Sequence, residues 1–257
     1  MYIHHTERGQ GDPLVLIMGL SADGTLWEKH VQAYSQHFRC IMVDNRGAGK
    51  SDAPPGPYTT TQMADDTAAL MDRLGISCAH IAGISMGGAI SQELALRHPA
   101  KVRSLTLVCT WARCLAYTQD VFRMLADSYR ALPPAEMTRL LQLWIYAPDF
   151  YTKNAAELQK AAAEASSAGR MTADALKSQS DGCISHNTLD RLHNIQVPTL
   201  VTSGDMDIFT PLSYSQEIVD RIPGAELAVF ARMGHAHHWE GLEEFNRRTL
   251  EFMKGVR

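Results

Sequence analysis

The strongest constraint on the fold of this 257-residue chain is a repeated alternation of short apolar segments with segments of helical periodicity. The apolar segments are continuous, which is typical of strands whose two faces are both covered by helices. Strands and helices in this order predict an α/β fold with a doubly wound, mostly parallel sheet and right-handed crossovers. The predicted strands are a short one at about 2–6, then 14–18, 39–44, 79–85, 104–110, 198–204 and 226–231.

The alternation stops between residues 112 and 194, where only helical patterns are found. One of these patterns begins at Pro133–Pro134, and a later, alanine-rich one is predicted to end at Gly169. A helical insert without flanking linkers indicates a cap over the edge of the sheet rather than a separate helical domain. We therefore expect a core formed by 1–111 and 195–257 and an all-helical cap formed by 112–194.

Composition and charge exclude several classes of function. The formal net charge is −4 and there is no basic run, so nothing indicates binding to nucleic acid. The amino-terminal segment lacks a secretory pattern and the apolar runs are shorter than the ~20 residues of a membrane span, which predicts a cytoplasmic protein without membrane contacts. The five cysteines are scattered without CxxC spacing, so we expect no disulfide framework, no metal and no cofactor. A monomer or homodimer that acts on a small molecule fits this composition.

A Gly-x-Ser-x-Gly motif at 83–87 lies between a predicted strand and a predicted helix. The motif alone is a weak signal, but its position places Ser85 at the tip of a tight strand-to-helix turn above the sheet edge. Glycines suit a turn in which backbone approaches backbone, and the following helix points its amino terminus at the site. An ordinary turn with Ser85 as an N-cap is the alternative, which the additional Gly88 makes less favourable. Ser85 is therefore the predicted nucleophile.

A serine nucleophile needs a base, and the base needs a carboxylate that orients it. His235 follows the last predicted strand, at the edge of the sheet where ligands bind in open α/β folds. The neighbouring His237 and His238 are spaced too closely to His235 to suit a shared metal. Asp205 and Asp207 both follow the strand that resumes after the insert, and we favour Asp207 because it lies further into the loop.

Acyl transfer generates an oxyanion that backbone N–H groups should hold. Met86, immediately after the predicted nucleophile, offers one N–H. The second donor should come from the loop after the 14–18 strand, where Gly19 allows a sharp bend and Leu20 offers its N–H.

The helical insert is rich in aromatic residues and is the part of the chain that should choose the substrate. Aromatic residues at helical spacing more often pack inside such an insert, but together they indicate an apolar pocket for an acyl or aromatic group. The residues predicted to line this pocket are Trp111, Phe122, Trp144 and Tyr146.

Together these residues resemble the α/β-hydrolase superfamily, most closely its cap-bearing carboxylesterases and enol-lactonases. The resemblance covers nearly the whole chain outside the insert, and the segments that carry it are 18–27, 43–52, 83–108, 197–211 and 233–240. The chain order Ser, Asp, His is the order of this superfamily. The resemblance implies Asp207 as the acid, because members usually carry Gly-x-x-Asp before a proline, and it implies Leu20 and Met86 as the oxyanion donors.

The resemblance implies a serine hydrolase that cleaves small carboxylic esters or lactones. A serine at position 85 argues against dehalogenase or epoxide-hydrolase chemistry, for which relatives place an aspartate there. Two other functions stay open, namely hydrolysis of a thioester or carbon–carbon bond by the same residues, and slow-turnover ligand reception, as in some hormone receptors of this fold. The chain departs from the family pattern at Met18-Gly19, where members usually have His-Gly.

Overall fold

The computed structural model describes residues 1–165 and 171–256, and its centre is a seven-stranded sheet. The strands lie close to the segments that the apolar pattern predicts. They are β1 (His5–Arg8), β2 (Asp12–Ile17), β3 (Phe38–Val43), β4 (Ala79–Ile84), β5 (Val102–Val108), β6 (Thr199–Gly204) and β7 (Glu226–Phe230).

The strand order in the sheet is β1-β3-β2-β4-β5-β6-β7. β1 pairs antiparallel with β3, and all other neighbouring strands of this sheet are parallel, so the predicted α/β fold with a doubly wound, mostly parallel sheet is confirmed. The first strand begins later than the predicted 2–6. His4 is held by the 44–52 loop, because its N–H donates to Ser51 Oγ at 2.8 Å and its carbonyl accepts from Asp44 N–H at 3.1 Å.

Helices cover both faces of the sheet, which explains why the strands are continuously apolar. Along β2, Val15 and Ile17 join one buried cluster, whereas Leu14 and Leu16 join a second cluster on the opposite face. The helices of the core are α1 (Glu28–Tyr34), α2 (Thr60–Arg73), α3 (Met86–Arg97), α9 (Leu212–Val219), α10 (His237–Glu240) and α11 (Leu242–Gly255). The first cluster includes residues of α2 and α3, and the second includes residues of α1 and α11.

The described residues between β5 and β6 form helices, as predicted. Its helices are α4 (Ala116–Ala131), α5 (Pro134–Ile145), α6 (Pro148–Lys153), α7 (Ala155–Glu164) and α8 (Ala173–Ser185). α4 packs against α8 and α5 packs against α7, while a bridge between Arg113 and Asn187 joins the two ends of the insert. The predicted helix end at Gly169 lies outside the described residues. Within the described ranges, no helix is long and apolar enough to cross a membrane.

Candidate active site

Ser85 occupies a sharp turn between β4 and α3. Its backbone angles are φ 55° and ψ −114°, a conformation that costs a non-glycine residue about 1–3 kcal/mol. The neighbouring strand holds this turn in place, because Ser85 N–H donates to Val108 O and Thr110 Oγ1 donates to Ser85 O, both at 2.8 Å. The hydroxyl is thus presented at the carboxyl end of the sheet by a strained backbone, as in a nucleophile elbow.

Both glycines of the motif are required by the close approach of backbone at this turn. A Cβ atom on Gly83 would lie 2.2 Å from the carbonyl oxygen of Gly87. A Cβ atom on Gly87 would lie 2.2 Å from the carbonyl oxygen of Ile17 in β2. Either side chain would push α3 away from the sheet, so the motif is a packing requirement of the turn as well as a marker of it.

His235 and Asp207 form a buried pair next to this turn. His235 lies in the loop after β7 and Asp207 in the loop after β6, and His235 Nδ1 is 2.8 Å from Asp207 Oδ2. The other carboxylate oxygen, Oδ1, accepts the N–H groups of Phe209 and Thr210, both at 2.8 Å. The Thr210 hydroxyl is 2.8 Å from Asp207 Oδ2 and 3.1 Å from His235 Nδ1. These contacts fix the carboxylate and the imidazole in one orientation.

The two groups of this pair change each other's pKa. Burial alone would raise the pKa of Asp207 and lower the pKa of His235, but the attraction between the two groups reverses both changes. The pKa of Asp207 therefore lies below its ordinary value, and the pKa of His235 lies well above its ordinary value of 6.5. An imidazole with this partner is a stronger base than a free histidine.

Ser85 and His235 line one cavity of about 280 Å³ between the sheet edge and the inserted helices. In the described part of the chain no hydrogen bond joins the Ser85 hydroxyl to the His235 ring. The wall carries no Asp, Glu, Lys or Arg among the described residues and is largely apolar. The apolar residues from the insert and its neighbours that form this wall are Leu125, Met137, Leu141, Ile145, Leu176 and Phe209.

The two predicted oxyanion donors belong to segments that adjoin Ser85. Leu20 lines the cavity and Met86 is the first residue of α3. Within residues 1–165 and 171–256, neither backbone N–H has a hydrogen-bond partner. Gly19 lies directly against the turn, because a Cβ atom there would be 3.3 Å from Ser85 Cβ. Two unpaired N–H groups beside a serine hydroxyl can stabilise an oxyanion.

Two buried amide side chains hold the loop that carries Leu20. Asn45 Nδ2 donates to Met18 O at 2.9 Å, at the start of the loop. At its end, Ser21 N–H donates to Gln179 Oε1 at 3.1 Å, and Gln179 Nε2 donates to Arg46 O at 2.8 Å. Gln179 belongs to α8 of the insert, so the insert itself supports this loop. Nothing in the sequence around Gln179 predicts that contact, because it spans 158 positions.

The remaining carboxylates near His235 have other contacts. Asp205 is exposed, and its Oδ1 accepts the Arg232 N–H at 2.6 Å across the turn. Glu240 Oε1 accepts the N–H groups of Gly234 at 2.9 Å and Ala147 at 3.2 Å, which ties the loop of His235 to the insert. Sequence reasoning missed Thr210. Its position three residues after Asp207 is a local signal, because an aspartate in a turn often accepts hydrogen bonds from residues that follow closely in the chain.

Three of the four aromatic residues predicted for the pocket require correction. Trp111 and Phe122 are completely buried, with ring centroids 5.0 Å apart, and they do not line the cavity. Trp144 packs against Phe209 and is also absent from the described wall, whereas Tyr146 does line it. Large rings gain more by complete burial between helices than by facing a cavity, so aliphatic residues form most of the wall.

The histidines that follow His235 are engaged in hydrogen bonds. His237 Nε2 is 2.9 Å from Thr202 Oγ1, and His238 Nδ1 is 3.1 Å from His30 Nε2. Over the described ranges, no three His, Cys, Asp or Glu side chains are grouped so that they could hold a metal ion.

Comparisons with known proteins identify the family of this chain. "Putative carbamate hydrolase RutD" of Azorhizobium caulinodans is 30% identical over 97% of this chain and 94% of its own length. The enol-lactonase from Burkholderia xenovorans LB400 superposes with a TM-score of 0.89 at 26% identity, covering 98% of this chain and 96% of that one. A thermophilic esterase from Thermogutta terrifontis superposes with a TM-score of 0.87 at 25% identity, covering 99% and 93%. The family model described as "alpha/beta hydrolase fold" matches residues 12–242, and this chain therefore belongs to that family.

Proposed function

We propose that this protein is a serine hydrolase that cleaves small carboxylic esters or lactones through an acyl-enzyme on Ser85. The observation that carries this proposal is the buried pair of His235 and Asp207, whose Nδ1 and Oδ2 atoms are 2.8 Å apart. His235 lines the same cavity as Ser85, which is held in a strained turn. A carboxylate that orients an imidazole beside a presented hydroxyl is the arrangement that activates a serine.

Each step of the reaction has a group in this site. The Ser85 hydroxyl attacks the carbonyl carbon while His235 Nε2 accepts its proton, and Asp207 stabilises the imidazolium that forms. The N–H groups of Leu20 and Met86 hold the oxyanion, and His235 then protonates the leaving alcohol. In the second half of the reaction, water attacks the acyl carbon while His235 accepts a proton from it. His235 then returns this proton to Ser85 Oγ as the bond to the acyl group breaks, which releases the carboxylic acid. The hydrogen bond between the Ser85 hydroxyl and His235 Nε2 forms in the complex with substrate, because catalytic hydrogen bonds that are long in a free enzyme often shorten when substrate binds.

The cavity favours an uncharged substrate of modest size. Its wall is apolar and, in the described ranges, carries no acidic or basic side chain apart from the two histidines His235 and His238. A thioesterase or carbon–carbon hydrolase acting on an anionic substrate would need a cationic wall. The enol-lactonase and the esterase named above support the ester and lactone assignment, and we propose that 112–194 acts as the cap that limits substrate size.

Steady-state kinetics on matched panels tests the proposal. The purified protein is assayed with p-nitrophenyl esters of increasing acyl length, with lactones, and with a thioester and a carbamate of the preferred acyl size. We expect multiple turnover of esters or lactones, and loss of nearly all of it in Ser85→Ala. An active Ser85→Ala variant, or turnover confined to the thioester or carbamate, contradicts the proposal.

A further inference from the structure

A chain of buried polar side chains leads from the core to the wall of the cavity. Asn246 Oδ1 on α11 is 2.7 Å from His30 Nδ1 on α1. His30 Nε2 is in turn 3.1 Å from Nδ1 of His238 on α10. His30 is completely buried, and His238, with 2% of its surface exposed, lines the cavity beside His235. Hydrogen bonds between these three side chains therefore connect α11 and α1, through His238 of α10, to the wall of the cavity.

The direction of the hydrogen bonds in this chain is set at Asn246. An amide oxygen only accepts, so His30 Nδ1 must carry the hydrogen. A neutral imidazole has one N–H, and His30 Nε2 is therefore an acceptor that takes the N–H of His238 Nδ1. His238 Nε2 is left with a lone pair. Both rings are neutral, because burial lowers the pKa of His30 to about 4 and lowers the pKa of His238 well below its ordinary value.

The contacts of His238 assign its Nε2 lone pair to the cavity by elimination, because Nδ1 is the ring nitrogen that is bonded to His30. Within the described residues this nitrogen has no hydrogen-bond partner. It is also not one of the fully buried side-chain atoms that lack a partner, so part of its surface is accessible. His238 lines the cavity that contains Ser85. His237, the preceding residue, differs in this respect, because its Nε2 is bonded to Thr202 and its Nδ1 is sealed.

We propose that His238 Nε2 is a hydrogen-bond acceptor of the substrate site and that it selects substrates with a neutral O–H or N–H donor on the bound chain. This inference rests on the proposed function and adds a substrate class to it. An acceptor in an apolar wall loses its water when a donorless chain binds, and the desolvated lone pair then disfavours that complex. A hydroxyl or amide N–H placed at this nitrogen removes the penalty. Asn246 and His30 are positioning residues that keep the nitrogen unprotonated.

The protonation of His238 is measured first, because it requires no turnover. ¹⁵N NMR of protein labelled at histidine, with the His238 signals identified by their loss in His238→Leu, reports which ring nitrogen carries hydrogen. We expect a neutral His238 protonated at Nδ1 and bare at Nε2 near pH 7. A His238 protonated at Nε2 overturns the proposal, since the wall would then offer a donor. This result holds whether or not His238→Leu keeps full stability.

Selectivity is measured next with p-nitrophenyl hexanoate and its 2-hydroxy and 3-hydroxy analogues. The ratio of kcat/KM between the better hydroxylated ester and the plain ester should be about tenfold or more, and should fall to about one in His238→Leu. Thr138→Val, which removes a hydroxyl instead of the His238 nitrogen from the wall of the same cavity, should leave the ratio unchanged. An equal ratio in the wild type and His238→Leu overturns the proposal.

Binding separates failure of this inference from failure of the proposed function. If no ester is hydrolysed, methyl ketones of the same length with and without a hydroxyl are titrated into the Ser85→Ala variant. Preferential binding of the hydroxylated ketone, with a shift of the His238 Nε2 signal, supports the acceptor even where the esterase assignment has failed. Equal binding of both ketones, with no shift of that signal, contradicts it.

Discussion

Replacing Asp207 by asparagine isolates the role of its charge from the role of its shape. The carboxylate accepts four hydrogen bonds, from the N–H groups of Phe209 and Thr210, from the Thr210 hydroxyl and from His235 Nδ1, each at 2.8 Å. An amide of the same size has one acceptor oxygen and one NH2 donor. It therefore cannot accept hydrogen bonds at both positions that the carboxylate oxygens occupy. At one of these positions the NH2 group will face a hydrogen-bond donor.

The structure indicates which side the amide oxygen of the Asp207→Asn variant will keep. Two backbone N–H groups face Oδ1 and cannot rotate, so the amide oxygen should remain there and the NH2 group should face His235. His235 must then adopt the tautomer in which Nδ1 is the acceptor and Nε2 carries the hydrogen. Nε2 is the nitrogen that has to accept the proton of Ser85, so this tautomer cannot act as the base. A serine hydrolase with this wrong tautomer loses about 10⁴-fold in kcat, which corresponds to about 5.5 kcal/mol of transition-state stabilisation.

Asp205→Asn provides the matched control. Asp205 is exposed and accepts one backbone N–H, that of Arg232, so the asparagine oxygen can keep this bond. We expect kcat within about threefold of the wild type for this variant, by the usual tolerance of exposed sites. Both variants are assayed on the preferred ester with circular dichroism as a check on folding. A larger loss in Asp205→Asn than in Asp207→Asn would refute the assignment of the acid.

Three further predictions follow from contacts described above. Because the pKa of His235 is raised, kcat/KM should fall below a midpoint above pH 6.5, and a midpoint below about pH 6 would contradict this. His186, which directly follows α8 and lies 2.9 Å from Thr60 Oγ1 through its Nδ1, is buried like His237, and burial lowers the pKa of both residues to about 3. The unfolded chain therefore binds protons below pH 6.5 that the folded chain does not. Urea unfolding at pH 5 should therefore show a loss of about 2 kcal/mol for each of these residues relative to pH 7, and unchanged stability would contradict it. Gln179→Ala should lower kcat about tenfold or more with KM nearly unchanged, because the Leu20 loop loses its support. Ser178→Ala, which removes a bond within the same helix, should not, and equal losses in both variants would assign Gln179 a role in folding alone.

The parts of the site that are predictable from sequence are those with local causes. The tight turn that carries Ser85 is predictable because a strand, two glycines and a helix lie within a few residues, and because Gly83 and Gly87 are both required by backbone contacts at 2.2 Å. The choice of Asp207 over Asp205 follows from position in the loop after β6. The continuous apolar strands predict the sheet for the same reason, because each strand meets helices on both of its faces.

The parts that could not be predicted depend on contacts between distant segments. Gln179 reaches Ser21 across 158 positions, and His30 reaches His238 across 208 positions, with no local pattern that marks either contact. Trp111 precedes α4 and Phe122 belongs to it, and both side chains are completely buried instead of lining the pocket that their aromatic character predicted. Which face of an inserted helix turns to the cavity is decided by how the insert packs on the core, and no local pattern in the sequence marks that face.

Trapping the acyl-enzyme tests the central claim most directly. The protein is mixed with the p-nitrophenyl ester that it prefers, quenched in acid within milliseconds, and examined by intact-mass spectrometry and peptide mapping. The account predicts a mass increase of one acyl group, located on the peptide that contains Ser85 and absent from Ser85→Ala. Acylation of a different residue, or full turnover by Ser85→Ala without any acylated protein, would contradict it.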